Sequence, residues 1–141
     1  MRALVFRWLA PALLVLCAVA MAASGPGALG WLWTMFLLFL AVAFSPLAFP
    51  RSRGYDEGRR RAAEGGVPLV CWKPGCSWCV RMRAALVGAP VVWVDVTTDE
   101  DAAAWVAAHN GGNVTTPTVW FPDGSVLTNP PPAQVRAAVR S

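Results

Sequence analysis

VPLVCWKPGCSWCVRMRAALV, residues 67–87, starts as an apolar run, breaks at Lys73-Pro74-Gly75 and resumes with a different spacing. Val67–Trp72 has the length and composition of a buried strand. Ser77–Val87 has the helical period, with Val80, Ala84 and Val87 on one face and Arg81 and Arg83 off it. Two cysteines, Cys76 and Cys79, therefore fall where a strand gives way to a helix.

The pattern continues toward the C-terminus. Val91–Val96 is β-branched and follows Pro90, so it reads as a second strand. Thr98 is placed to cap a helix over Asp99–His109, whose first turn is acidic as the helix dipole favours, and Gly111-Gly112 ends it. Thr116–Phe121 and Ser125–Thr128 flank Pro122-Asp123-Gly124, a hairpin signal, and Ala133–Arg140 makes a last helix. The order β-α-β-α-β-β-α predicts an α/β domain over residues 67–141. It would hold one four-stranded mixed sheet with flanking helices: parallel pairs made by right-handed crossovers, and an antiparallel edge from the hairpin.

Upstream the chemistry changes. The chain is 56% hydrophobic, above the usual share for a soluble domain, and the excess sits in two uncharged runs, residues 8–23 and 28–49. The 22 residues of the second would reach about 33 Å as a helix, against roughly 30 Å of hydrocarbon. Residues 1–50 are thus expected to form a membrane anchor of two hydrophobic helices, about 4–23 and 28–49, turning at Ser24–Gly27. A cleaved signal peptide ending near Ala20-Met21-Ala22 is the alternative for the first run, and it leaves the C-terminal domain on the same side.

Arg2 and Arg7 before the first run, and Arg51, Arg53, Arg59, Arg60 and Arg61 after the second, place both flanks in the cytoplasm by the positive-inside rule. The expected location is the cell membrane, two-pass, with a cytoplasmic C-terminal domain. Residues 51–66, charged and glycine-rich, read as a linker with little to bury. The net charge of +4 lies in these flanks: from Val67 on, Lys73, Arg81, Arg83, Arg136 and Arg140 balance Asp95, Asp99, Glu100, Asp101 and Asp123. A nucleic-acid partner is therefore not expected, and a lipid membrane is.

The cysteines are Cys17, Cys71, Cys76 and Cys79. Cys17 reads as an apolar filler, and a structural disulfide does not suit a reducing compartment. Cys71, Cys76 and Cys79 have a C-x4-C-x2-C spacing used for iron–sulfur clusters, with His109 as a conceivable fourth ligand. Against a metal site, Cys71 falls inside the first strand and His109 at the end of another helix. A redox pair accounts for position as well as spacing. Cys76 would sit at a helix N-terminus with Lys73 nearby, which lowers a thiol pKa, and Cys79 one turn on could attack a mixed disulfide formed at Cys76.

Lys73-Pro74-Gly75-Cys76-Ser77-Trp78-Cys79 resembles the K-P-x-C-x-aromatic-C site of glutaredoxins, and Thr115-Thr116-Pro117 their T-x-P segment. Asn110–Pro130 (NGGNVTTPTVWFPDGSVLTNP) is similar to the corresponding stretch of mycoredoxins, the glutaredoxin-like enzymes of actinobacteria. The resemblance covers about residues 67–141. It implies a thioredoxin-like fold and an enzyme that reduces mixed disulfides between proteins and a low-molecular-weight thiol, with no tightly bound cofactor or metal. It makes Cys76 the nucleophile and Cys79 the second active-site cysteine. Lys73, Trp78, Thr116, Pro117 and Asn129 become thiol-binding residues, with Pro117 in cis. Glutathione-using members carry Gly-Gly and an acidic residue where this chain has Leu127-Thr128-Asn129-Pro130, so mycothiol is favoured over glutathione as co-substrate. Lys73-Pro74 departs from the mycoredoxin pattern, and Trp78 stands where Tyr or Phe is usual. A dithiol protein-disulfide reductase or oxidase of thioredoxin type is the alternative activity, with a metal or iron–sulfur carrier ranked after it.

Overall fold

The computed structural model describes residues 2–25, 27–52 and 54–139, with Arg2–Arg7 and Pro46 described by backbone alone. Arg53, Arg140, Pro26 of the Ser24–Gly27 turn and the side chains of Arg2 and Arg7 lie outside the described residues. The chain divides at Ala48 into two compact units.

In the second unit Leu69–Trp72 is β1, fully buried, and Val92–Asp95 is β2, paired with it in parallel. Ser77–Ala85 between them is α4 and Glu100–His109 is α5, while Tyr55–Gly65, ahead of β1, is α3. Thr118–Trp120 (β3) and Val126–Thr128 (β4) form the hairpin, and Pro132–Ala137 is α6. The sheet order β2-β1-β3-β4 is the expected four-stranded mixed sheet. One face, with Leu69, Cys71, Val94 and Trp120, packs on Ala62 of α3 and on Ala102 and Val106 of α5. Strand alternation turns Val70, Trp72 and Val119 to the other face. That side carries α4 and α6, which touch each other and bury Cys79, Met82 and Val135.

In this unit four sequence readings change. β3 is not the product of a parallel crossover: it runs antiparallel to β1, Thr118 lying opposite Cys71. Gly111 and Gly112, at φ 60° and 89°, turn the chain after α5 and deliver Thr116-Pro117 to the C-terminal end of β1. The buried face of α4 is Cys79, Met82 and the capping Leu86, whereas Val87 is exposed. The residue that caps α5 is Asp99, not Thr98: its Oδ1 accepts the Ala102 N–H at 2.8 Å.

The fourth change concerns residues 51–66, which are largely helix and part of the packed domain rather than a linker. Gly58 lies so close to the sheet that a Cβ there would meet Val94 Cγ2 at 2.8 Å, Ala62 is fully buried, and the Arg59 guanidinium stacks 3.6 Å from the Trp120 ring centre. The Asp99 carboxylate also accepts the Tyr55 N–H at 2.6 Å, so one side chain caps α3 and α5 together. The packing of α3 relies on a glycine, an alanine and an arginine stem, none of which marks a buried face by hydropathy.

In the first unit, Arg2–Ala23 (α1) and Ala28–Ala43 (α2) pack against each other. Small or polar side chains such as Ala18, Thr34 and Ala41 are buried, while Leu13, Leu16, Leu32 and Phe39 face outward. α2 stops well short of residue 49. Its 16 residues reach about 24 Å, because Pro46 has no N–H to continue the ladder and Ser45 bonds back to the Val42 carbonyl. Among the described residues no helix is long and apolar enough to cross a membrane, so the two expected spans do not take that form.

Candidate active site

β1 ends at Trp72, and Gly75, at φ 76°, swings the backbone into α4. Cys76 is the helix cap, extended at φ −88°, ψ 106°, and its sulfur accepts the N–H of Cys79 at 3.2 Å. The Cys76 thiol also reaches the Thr116 carbonyl, 3.4 Å away, and the Thr116–Pro117 peptide bond is cis. Cys79 is fully buried, and Cys76 is partly open.

The two thiols are driven apart in acidity. The Cys76 pKa falls to about 6, chiefly through the hydrogen bond from the Cys79 side chain. Burial opposes the shift; Thr116, the Cys79 backbone N–H and the charge of Lys73 add to it. Cys79 moves far up, first because its proton is held by Cys76 and then because it is buried. The arrangement is a nucleophilic thiolate backed by a neutral thiol at its side.

Of the residues expected to bind thiol, Thr116 adjoins Cys76, and Pro117 follows it across the cis bond. Trp78 and Asn129 line a cavity of about 230 Å3 together with Arg81, Met82 and the Pro130–Pro132 turn. Trp78 is half exposed, with the Arg81 guanidinium 5.7 Å from its ring centre. Asn129, at φ 50°, donates its N–H to the Pro117 carbonyl at 2.7 Å, tying that turn to the cis-proline. Lys73 is not part of this cavity; its ammonium donates to the Val114 carbonyl at 3.4 Å. Sequence reasoning passed over Arg81 and the proline run, which approach Trp78 only in the fold. It also passed over Asn110, whose place between a helix and Gly111-Gly112 does mark a helix end.

The C-x4-C-x2-C spacing does not assemble. Cys71 lies in the core beneath α3 and α5, on the sheet face opposite α4, and burial pushes its thiol up to about 12. The His109 ring lies tilted against Trp105, with its Nδ1 2.8 Å from the Trp105 carbonyl oxygen. Among the described residues no three His, Cys, Asp or Glu side chains gather to hold a metal ion.

A mixed four-stranded sheet with a C-x-x-C at its strand-to-helix junction, facing a cis-proline, defines a thioredoxin-like redox protein. Residues 69–126 match the family model for glutaredoxin. A protein of Mycobacterium tuberculosis H37Rv named as a glutaredoxin is 44% identical over 64 residues, which cover 44% of this chain and 76% of that relative. Mycoredoxin 1 of Corynebacterium glutamicum is 38% identical over 66 residues, 47% of this chain and 84% of the relative. The chain belongs to the glutaredoxin family and is a glutaredoxin-like thiol-disulfide oxidoreductase. The family acts on protein disulfides with a low-molecular-weight thiol as co-substrate.

Proposed function

We propose that the protein reduces mixed disulfides between proteins and mycothiol, with Cys76 as nucleophile, and that its N-terminal hairpin holds it at the cytoplasmic face of the cell membrane. The observation that carries the chemistry is the Cys76 sulfur at the α4 N-terminus, which accepts the Cys79 N–H. The Cys76 thiolate attacks the sulfur of the small thiol, forming a Cys76 mixed disulfide and releasing the protein cysteine as thiolate. A second small thiol, as thiolate, then attacks the small-thiol sulfur of that intermediate. The products are the small-thiol disulfide and the Cys76 thiolate. Alternatively Cys79 loses its proton and attacks Cys76, releasing the small thiol and leaving a Cys76–Cys79 disulfide for an external reductant.

The small thiol lies along the cavity beside Trp78, with Asn129 at its far side and Thr116 offering backbone hydrogen bonds next to Pro117. Lys73 contributes charge near the entering sulfur. Three features favour mycothiol over glutathione. The 127–130 turn departs from the glutathione-type loop, the cavity lining has no carboxylate to receive an ammonium group, and one similar relative is named a mycoredoxin. A test protein loaded with mycothiol should be reduced faster than the same protein loaded with glutathione; equal failure on both would falsify the reading. Replacement of Cys76 by Ser should abolish turnover.

The buried second cysteine favours one further reading, a dithiol route acting directly on protein disulfides. Cys79→Ser separates them: it leaves turnover of small-thiol mixed disulfides largely intact if one cysteine suffices, and removes it if the pair is needed.

Membrane attachment rests on the outward apolar side chains of α1 and α2 and on the arginines that flank the hairpin. Hydroxyls of Ser24, Thr34 and Ser45 all donate to carbonyls of their own helix, as suits an apolar surrounding.

A further inference from the structure

We propose that Asn110 is a positioning residue of the redox site, holding the Thr115–Pro117 segment against Cys76 by way of Thr118. This rests on the reading of Cys76 as the nucleophile. The Asn110 side-chain amide spans three elements. Its Nδ2 donates to the Val106 carbonyl of α5 at 2.7 Å and to Thr118 Oγ1 of β3 at 3.1 Å, and its Oδ1 accepts from the Thr128 hydroxyl of β4. Thr118, fully buried, passes its own proton to the Thr115 carbonyl at 2.8 Å.

The order of these bonds is what matters. With its acceptor side taken by Asn110, the Thr118 hydroxyl has its proton turned toward Thr115, and that bond pins the residue before Thr116. Thr116 in turn lies against Cys76, its carbonyl accepting from the thiol at 3.4 Å and its side chain favouring the thiolate, and Asn129 clamps the Pro117 carbonyl from the other side. A plain helix end would need only the backbone bond from Asn110 N–H to Ala107. The side chain goes further and fixes where β3 begins.

The titratable groups facing Cys76 are Cys79 of α4 and Lys73 of the loop after β1; the segment before β3 contributes Thr116 alone. Loosening that segment withdraws the Thr116 side chain, which favours the thiolate, and leaves the Cys79 side chain, the Cys79 N–H and the Lys73 charge in place.

Asn110→Ala adds no charge and should raise the midpoint of Cys76 alkylation by iodoacetamide, followed by mass spectrometry across pH, by about half a unit. Turnover should then fall about threefold near pH 5.5, where ionisation limits the thiolate, and stay close to wild type above pH 8, which a general loss of stability would not reproduce. Thr118→Val removes the relay itself and should give the same shift, with no further shift in the double variant. Should Asn110→Ala not fold, Thr128→Val on the exposed edge strand carries the test, since it frees one end of the amide. Folded variants that keep the wild-type midpoint would overturn the proposal. Full turnover by Cys76→Ser would instead overturn the reading beneath it.

Discussion

A thiol with a pKa of about 6 is about nine-tenths ionised at pH 7, against a few per cent for an ordinary cysteine near 8.5. Cys76 should therefore be modified by iodoacetamide at a nearly constant rate above pH 7. Below pH 6 the rate should drop about tenfold per unit, because below its pKa the thiolate fraction falls in proportion to the rise in proton concentration. A midpoint near 8.5 would mean that the hydrogen bonds onto Cys76 do not act on the thiolate. Lys73 is the last of the causes that lower this pKa, and its ammonium already touches the Val114 carbonyl. Lys73→Met should move the midpoint up by only about a few tenths of a unit, and less at high salt, since the pair is screened. Cys76 and Cys79 were legible in the sequence because the features that activate them are local: a strand end, a glycine and a helix start within ten residues. The Thr116 carbonyl and the Asn110 amide were not, because they reach Cys76 through contacts that only the antiparallel entry of β3 creates.

At the level of elements, α3 is where local pattern and tertiary packing disagree most. Tyr55–Gly65 is charged on most sides and was read as a linker, yet Asp99 caps it and Gly58 seats it on β2. Gly58→Ala decides between the two by sign. In a solvated helix the change stabilises by up to about 1 kcal/mol through helix propensity. Against Val94 at 2.8 Å it should instead destabilise by about 1–3 kcal/mol, as overpacking does, measured by urea unfolding. Asp99 gives an independent check. Each of its two oxygens serves a different helix, so Asp99→Ala should cost about 2 kcal/mol, roughly twice the loss of one cap. Asp99→Asn keeps a single acceptor oxygen and should cost about half as much. No loss for Asp99→Asn beside a full loss for Asp99→Ala would show that only one of the caps matters. The strands and the α4 position were readable because their periods carry hydrophobic residues. The face of α4 was misread because Cys79 and Met82, rather than valines, turn inward.

For the whole molecule, the N-terminal unit turns apolar side chains outward, yet its second helix, at 16 residues, is too short for an ordinary span. The apolar composition was plain in the sequence, but the end of α2 was not, since Ser45-Pro46 stops the helix inside an uninterrupted uncharged run. The arginines after the hairpin also make contacts of their own: Arg59 stacks on Trp120, and Arg61 pairs with Glu57 at 2.9 Å. The stacking of Arg59 forms only once the redox domain has folded, whereas in the proposed insertion each arginine would still count as a free positive charge and the acidic residues would weigh little. Attachment and orientation are thus separate predictions. The full chain should remain with membranes through alkaline carbonate extraction, and a chain lacking residues 1–48 should leave them while keeping its turnover of a soluble mixed disulfide, because Cys76, Thr116 and Asn110 all lie beyond that point. A reporter fused to the C-terminus should be active only if it works in the cytoplasm. Release of the full chain by carbonate would remove the anchor reading and leave the redox chemistry untouched. Retention with an outward-facing reporter would keep the anchor and turn the C-x-x-C toward an oxidising compartment, where a Cys76–Cys79 disulfide, from which Cys76 leaves readily as a thiolate, would oxidise substrate thiols and be reduced to the dithiol in doing so.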